Sequence, residues 1–361
     1  MKENIIVSID NALTSLEHYP GEVFDSDKFA VYDTTLSNFQ LNPVEVRNYT
    51  KVICAVRFTD NRYPDLDLSK FNSVIVLDEE AIDAESDTYL QKLQQKFNNS
   101  NILIVCGGYH KKYPPCHDNI YVYPYFLQNI LRYNQTQQID SIGDHQRTFD
   151  VLLGGLKMHR RFVFEKLGQH QMLLNACFVN LTTAAYSADI VKTIFRTPEL
   201  DDLEPTATLA PITMNQGYNG YVKTNQGVGV AQLVPWEVYR RSLYSIVTET
   251  NFENYFFFSE KTAKPLYAGR PFVFFGAQGQ LQDLRQLGFK TFDGIIDESY
   301  DLIEDNTLRF ELAFEQVRWL FDQNHPQLYK KIQPVLEHNQ RHIQDRQYFL
   351  GPLKQWLFSR Y

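Results

Sequence analysis

Four consecutive polar residues, Ser259-Glu260-Lys261-Thr262, stand between the apolar runs 255–258 and 272–275. If the chain passes from strand to helix there, the first helical N–H groups point outward unpaired and the helix end carries partial positive charge. Phosphates bind at such ends. Lys261 would add a full charge, the Ser259 and Thr262 hydroxyls would donate, and Glu260 would accept from a sugar hydroxyl. The same four residues also suit an ordinary capped helix, with Ser259 as the cap. Pro265 complicates that helix, because an interior proline costs about 3 kcal/mol. The helix is therefore expected to begin nearer Thr262 or to have a distorted first turn, and either would leave backbone N–H groups for a ligand.

A second stretch with anion-binding chemistry is Gly154-Gly155-Leu156-Lys157-Met158-His159-Arg160-Arg161. A glycine pair after a strand lets backbone approach a ligand closely. Arg160 and Arg161 offer the planar fork that pairs bidentately with phosphate. A tight turn followed by a basic, solvated helix start would look the same in sequence.

These residues need a scaffold. Over the first ~145 residues, β-rich runs (Asn4–Ile9, Phe29–Tyr32, Lys51–Phe58, Ser73–Leu77, Asn101–Cys106, Asn119–Tyr123) alternate with polar or helical stretches such as Asn11–His18 and Asp87–Phe97. Nearly continuous apolar strands separated by helices argue for a mostly parallel sheet covered on both faces. No Gly-x-Gly-x-x-Gly follows the first strand, so a dinucleotide site is not expected. Arg132–Arg147 is polar and suits a linker. A second α/β pattern starts at Phe149. It runs through strand Ala176–Leu181, an irregular region over 196–230, helix Pro235–Leu243, strand Tyr244–Thr248, a strand at 255–258, helix Gln280–Leu287, a short strand Lys290–Phe292 and an amphipathic helix Asn306–Asp322. In that last helix Leu308, Leu312, Phe314, Val317 and Leu320 are expected on one face.

Composition narrows the function classes. The chain has 361 residues, enough for two domains, with 43% hydrophobic and 22% charged residues. A net charge of −8 argues against a dominant nucleic-acid role. The four cysteines form no Cys-x-x-Cys pair, and three of them sit in or near apolar runs, which suits buried free thiols. No signal peptide and no run of ~18 apolar residues is present, so a cytoplasmic protein without a membrane span is expected. Asp65-Leu66-Asp67 has the letters of a metal-binding Asp-x-Asp but lies in a polar loop without supporting ligands, so no metal site is expected.

One segment resembles a known family. Thr248-Glu249-Thr250-Asn251-Phe252-Glu253-Asn254, then Ser259-Glu260-Lys261-Thr262, then Ala268-Gly269-Arg270-Pro271-Phe272-Val273 is similar to the donor-binding segment of GT-B glycosyltransferases, most of all the α1,3-fucosyltransferase pattern. Tyr255 and Ser259 depart from that pattern, which has Ser and Thr there. Leu284–Phe292 and Asp297–Asp301 also resemble glycosyltransferase-like proteins of microbes and phages. The resemblance covers roughly Glu237–Asp301. It implies an α/β, GT-B-like fold of two Rossmann-like domains facing a cleft, with a C-terminal helical tail. The expected division is an acceptor domain over 1–140, a nucleotide-sugar donor domain over 148–345 and a docked tail over 346–361.

The implied activity is transfer of a sugar from a nucleotide diphosphate sugar to a hydroxyl acceptor, with no cofactor and no metal. Glu249 or Glu253 would contact the donor sugar or ribose, and Lys261 the diphosphate, aided by Gly154, Gly155, Arg160 and Arg161. An inverting reaction also needs a general base. Asp10, Asp60 and His110, each following a strand of the first half, are the alternatives. Two rival readings are a DNA-modifying transferase of phage type and a binding module that keeps the fold without the activity.

Overall fold

The computed structural model describes residues 4–9, 29–34, 51–57, 67–133, 145, 147–154, 157–172, 177–181 and 234–360. The helix expected over Asn11–His18, most of the expected linker and the irregular region 196–230 lie outside the described residues. The chain divides into two compact units. One comprises Met1–Arg132, Tyr255–Phe257 and Asp345–Tyr361; the other comprises Tyr133–Asn254 and Phe258–Gln344. The class is α/β, built on two largely parallel sheets with Rossmann-like strand order.

In the first unit, β1 (Asn4–Ile9), β2 (Phe29–Thr34), β3 (Lys51–Arg57), β4 (Ser73–Ile82) and β5 (Ile102–His110) pair in parallel in the order β2-β1-β3-β4-β5. This is the doubly wound order in which direction of winding reverses between β1 and β3. β6 (Ile120–Val122) adds in parallel to β5, and β10 (Tyr255–Phe257) adds antiparallel to it. Both faces of the central strands are buried: Cys54, Val56, Val74, Val76, Ile102 and Ile104 share a cluster with Leu90, Leu93 and Phe97 of α1 (Ser86–Phe97), while Ile53, Ala55, Ile75 and Leu103 fill the opposite positions. That is why these strands are apolar throughout instead of alternating. Each fully buried Val, Ile, Leu or Phe among them contributes about 1.5–3 kcal/mol.

β5 does not stop at its glycine pair, as the sequence suggests, but runs through it to His110. A Cβ on Gly107 would lie 2.0 Å from the Glu79 carbonyl oxygen, and one on Gly108 would lie 2.1 Å from that of Phe256. The glycines admit neighbouring strands rather than end their own. β6 is followed by α2 (Tyr125–Tyr133). The C-terminal helix Arg346–Phe358 belongs to this unit too, burying Phe349, Leu350, Leu353 and Leu357 and bonding Trp356 Nε1 to the Asp118 carbonyl at 3.0 Å.

The second unit holds β7 (Arg147–Gly154), β8 (Cys177–Leu181), β9 (Ser242–Thr248) and β11 (Phe272–Phe275), all parallel, in the order β8-β7-β9-β11. Around them lie α3 (Met158–Gln169), α4 (Trp236–Arg241), α5 (Glu260–Ala268), α6 (Gln280–Gln286), α7 (Asn306–Phe321) and α8 (His325–Ile343); the C-terminal helix is α9. Beneath the sheet's edge, Arg270 is buried with its donors on the Asp150 carboxylate (2.6 Å), the Ser242 hydroxyl (2.9 Å), the Tyr239 and Ser242 carbonyls (2.6 and 2.7 Å) and Ser245 Oγ (3.3 Å). This fork ties β7, β9 and α4 together.

Three expectations for this half are corrected. The run at 255–258 is not a strand of this sheet: as β10 it joins the first unit, and the strand that leads to α5 is β9. Lys290–Phe292 forms no strand; only an isolated bridge, Asp293 to Ile296, follows it. In α7 the buried face is Phe310, Ala313, Phe314, Val317 and Leu320, whereas Leu308 and Leu312 are 50% and 36% exposed. The helix is apolar on more than one side, so composition alone does not fix its phase.

Candidate functional site

The winding of the second sheet reverses between β7 and β9. Ligands of open α/β sheets bind outside the carboxyl ends of the strands at such a point. After β7 come Lys157, His159 and Arg160; after β9 come Glu249 and Thr250. The structure joins these two ends. Lys157 Nζ donates to the Thr250 carbonyl at 2.6 Å, His159 Nε2 to the Glu249 carbonyl at 2.6 Å, and Arg160 Nη2 to the same carbonyl at 3.3 Å.

Glu249 is the junction. Its side chain has 0% exposure. Oε1 accepts from the Ser259 N–H at 2.8 Å and the Thr262 hydroxyl at 2.6 Å, and Oε2 accepts from the Thr250 N–H. Through these bonds β9 holds the start of α5. Ser259 caps that helix, its Oγ accepting from the Lys261 N–H at 3.3 Å while its carbonyl accepts from Thr262 and Ala263, both at 3.2 Å. So α5 begins at Glu260 with Pro265 inside it, and the Lys261 and Thr262 N–H groups bond within the protein. Expected open N–H groups at this end are replaced by a satisfied cap. The cap, the Glu249 carboxylate and the left-handed C-cap Gly269 (φ +64°) offset the proline's cost.

Three helices start near the carboxyl edge of this sheet, and they differ in how their first turns are served. α5 has Ser259 and Glu249. α6 has Asp301, whose carboxylate accepts from the Leu281 and Gln282 N–H groups at 3.0 and 3.1 Å. α3 has no side-chain cap and no acidic residue in its first turn; it carries His159, Arg160 and Arg161 instead. Cations at a helix N-terminus oppose the helix dipole, an arrangement that a bound anion would reverse.

The side chains are electrostatically coupled. Lys261 Nζ lies 2.5 Å from Glu260 Oε1 and 3.3 Å from Thr250 Oγ1. An ammonium has three donors, so two are placed. Burial would raise the Glu260 carboxyl, but Lys261 and Lys264 outweigh it and hold it below the usual range. Desolvation pushes Lys264 down to about 8, with Lys261 adding to the fall and Glu260 opposing it. Burial also lowers the Arg160 guanidinium, against the attraction of Glu249 and Glu260. His159 is fully buried and pushed down to about 3, first by desolvation and then by Arg160, Lys157 and Lys261. It is neutral at physiological pH, with the proton on Nε2 toward Glu249; its Nδ1 and the Thr248 hydroxyl are buried without a hydrogen-bond partner among the described residues.

The remaining candidates separate. Gly154 ends β7, where the pairing with β8 shifts register; Gly155 lies outside the described residues. Arg160 is buried in the cluster, whereas Arg161 is 66% exposed and paired with Glu165 at 2.6 Å. Glu253 is exposed in the turn after β9. His110 ends β5 in the first unit, edge-on to Tyr255 at 4.8 Å, its Nδ1 accepting from the Lys112 N–H at 3.2 Å. Asp10 and Asp60 lie outside the described residues. Lys157, His159, Thr250 and Lys264 were not singled out from sequence. The first three sit inside segments that were, and for them the missing signal was which way each side chain faces. Among the described residues no group of three or more His, Cys, Asp or Glu could hold a metal ion, and no helix is long and apolar enough to cross a membrane.

No protein-family model matches the chain, and no curated protein does. Among solved structures, the chain is similar to T4 phage BGT in complex with UDP and Mn2+, with 12% identity over 98% of this chain and 99% of that one and a TM-score of 0.43. That complex corrects one expectation. It contains Mn2+ beside UDP, so the expectation of a site working without metal does not stand.

Proposed function

We propose that the chain is a glycosyltransferase that binds a nucleotide diphosphate sugar at the β7–β9 edge and transfers the sugar to a hydroxyl acceptor. The observation that carries this reading is the meeting of Lys157 and Arg160, on the Thr250 and Glu249 carbonyls, with Lys261, on the Thr250 hydroxyl, at the point where the sheet's winding reverses. The resemblance of Thr248–Val273 to a donor-binding segment names the ligand class that such a cluster would serve.

In the transfer, the acceptor oxygen bonds to the anomeric carbon as the bond from that carbon to the diphosphate breaks. The nucleoside diphosphate leaves with added negative charge, and the acceptor proton passes to a base. Fixed cations aimed at the leaving group stabilise the transition state more than the ground state. Arg160 and Lys261 would supply these cations. Glu260, held ionised beside Lys261, would accept from a hydroxyl of the donor. For an inverting reaction, Asp10, Asp60 and His110 are the proposed alternatives for the base.

A thermal-shift screen against UDP, GDP, ADP, dTDP and CMP, with and without Mn2+, tests the reading. One nucleoside diphosphate should raise the Tm selectively, because a ligand that binds only the folded chain stabilises it by mass action. No shift with any of them would refute the donor class.

A further inference from the structure

We propose that Glu249 is a positioning residue, a resident anion that sets both cationic arms of the site, and not a ligand of the donor. This rests on the reading of the site as one for a nucleoside diphosphate. The carboxylate is fully buried and accepts from three donors on two segments, the Thr250 N–H on one side and the Ser259 N–H and Thr262 hydroxyl on the other. Its own carbonyl accepts from His159 and Arg160. One residue therefore fixes the first turn of α3, the end of β9 and the first turn of α5.

Each link has a consequence for the grip on a ligand. Arg160 reaches the Glu249 carbonyl, so its guanidinium is placed by where that backbone lies. Lys261 is placed twice, by the helix start that the carboxylate holds and by Thr250, whose N–H the same carboxylate holds and whose hydroxyl Lys261 meets. A side chain so enclosed has no face left for a sugar hydroxyl. It also holds the cap itself through the Ser259 N–H, and Ser259 in turn takes the Lys261 and Thr262 N–H groups, so α5 contributes the Lys261 side chain rather than those N–H groups.

The sign of one substitution separates positioning from charge. Glu249 is negative and lies among the groups that would hold phosphates. By Coulomb's law alone, removing its charge should tighten an anion. If its work is positional, Glu249→Gln should weaken it, because the amide sets a donor against the Thr250 N–H or against the Ser259 N–H. Thr262→Val removes one of the three donors with no change of charge and little change of shape, and serves if Glu249→Gln does not fold.

The experiment is calorimetric titration of the full chain and the two variants, each well below its Tm, with UDP, GDP, ADP and inorganic pyrophosphate. For whichever of these the unmodified chain binds, Glu249→Gln should weaken binding about tenfold, equivalent to about 1.4 kcal/mol, and Thr262→Val should weaken it less. Unchanged or tighter binding by Glu249→Gln, or unchanged binding by Thr262→Val where only that variant folds, overturns the proposal; a lowered Tm with unchanged affinity would show Glu249 to be structural only. If the unmodified chain binds none of the four, or Lys261→Ala loses no affinity, the diphosphate reading itself falls. Loss on Lys261→Ala without loss on Glu249→Gln removes only the positioning role.

Discussion

At the scale of single residues, the site is built from groups whose ionisation the fold decides. His159 has its folded pKa at about 3 against an ordinary 6.5, so the unfolded chain binds the proton more readily. The sign follows: the neutral imidazole's contribution is fully present above pH 6.5 and is lost as pH falls from there toward 3, at up to about 1.4 kcal/mol per pH unit. Urea unfolding at pH 7 and pH 5 should show this fall, and His159→Gln should show a shallower one than the unmodified chain. An equal fall in both would mean that His159 does not titrate as its burial demands. At this scale, a helix capped by Ser259 was one reading that the four residues allowed, because cap preferences are local, whereas Pro265 pointed to a start nearer Thr262 and the helix starts at Glu260. The bond from the Ser259 N–H to the Glu249 carboxylate was not legible, because its acceptor lies ten residues earlier in the chain.

At the scale of elements, strand positions followed the apolar pattern well where the segments are buried on both faces, as in β1 and β3, whereas β4 continues past the expected Leu77 to Ile82. They failed where a tertiary contact overrides local preference. The glycine pair in β5 reads as an end and is a passage, because two neighbouring strands approach it. The 255–257 run reads as a strand of the second sheet but completes the first. Arg270, within the resemblance's Ala268–Val273, carried no legible role. In the structure it is the buried counter-charge of Asp150, whose carboxyl burial raises despite that partner. Removing one member of such a pair leaves the other buried and unpaired, which typically costs about 3–5 kcal/mol. Arg270→Leu should therefore lower urea-unfolding stability by that order, and the Asp150→Asn, Arg270→Leu double variant should recover part of the loss. A neutral Arg270→Leu result would show that the β7–β9 junction does not depend on this fork.

At the scale of the whole molecule, two α/β units could be read from two successive strand–helix patterns, but the return of the chain to the first unit could not. Leu353, Trp356, Leu357 and Phe358 mark a tail that must dock; they do not say on what. The structure assigns that helix to the first unit, with Leu353 and Leu357 buried and Trp356 bonded to Asp118. A chain ending at Gln344 should lose stability in the first unit, seen as a lower Tm or as aggregation. Nucleotide affinity should be retained wherever the truncated chain stays folded, because the cluster around Glu249 lies wholly in the second unit. Loss of affinity in a folded truncated chain would place a ligand contact elsewhere.

The proposed function requires that the β7–β9 edge grip a nucleoside diphosphate through Arg160 and Lys261. Calorimetric titration of the best-bound nucleotide into the unmodified chain and into Lys261→Ala, Arg160→Ala and Arg161→Ala tests it most directly. Lys261→Ala and Arg160→Ala should each weaken binding at least about tenfold, the loss expected for a charge-assisted hydrogen bond. Arg161→Ala, which removes an exposed pair with Glu165, should leave binding within about twofold. Undiminished affinity in Lys261→Ala, or a larger loss from Arg161 than from Arg160, would contradict the claim.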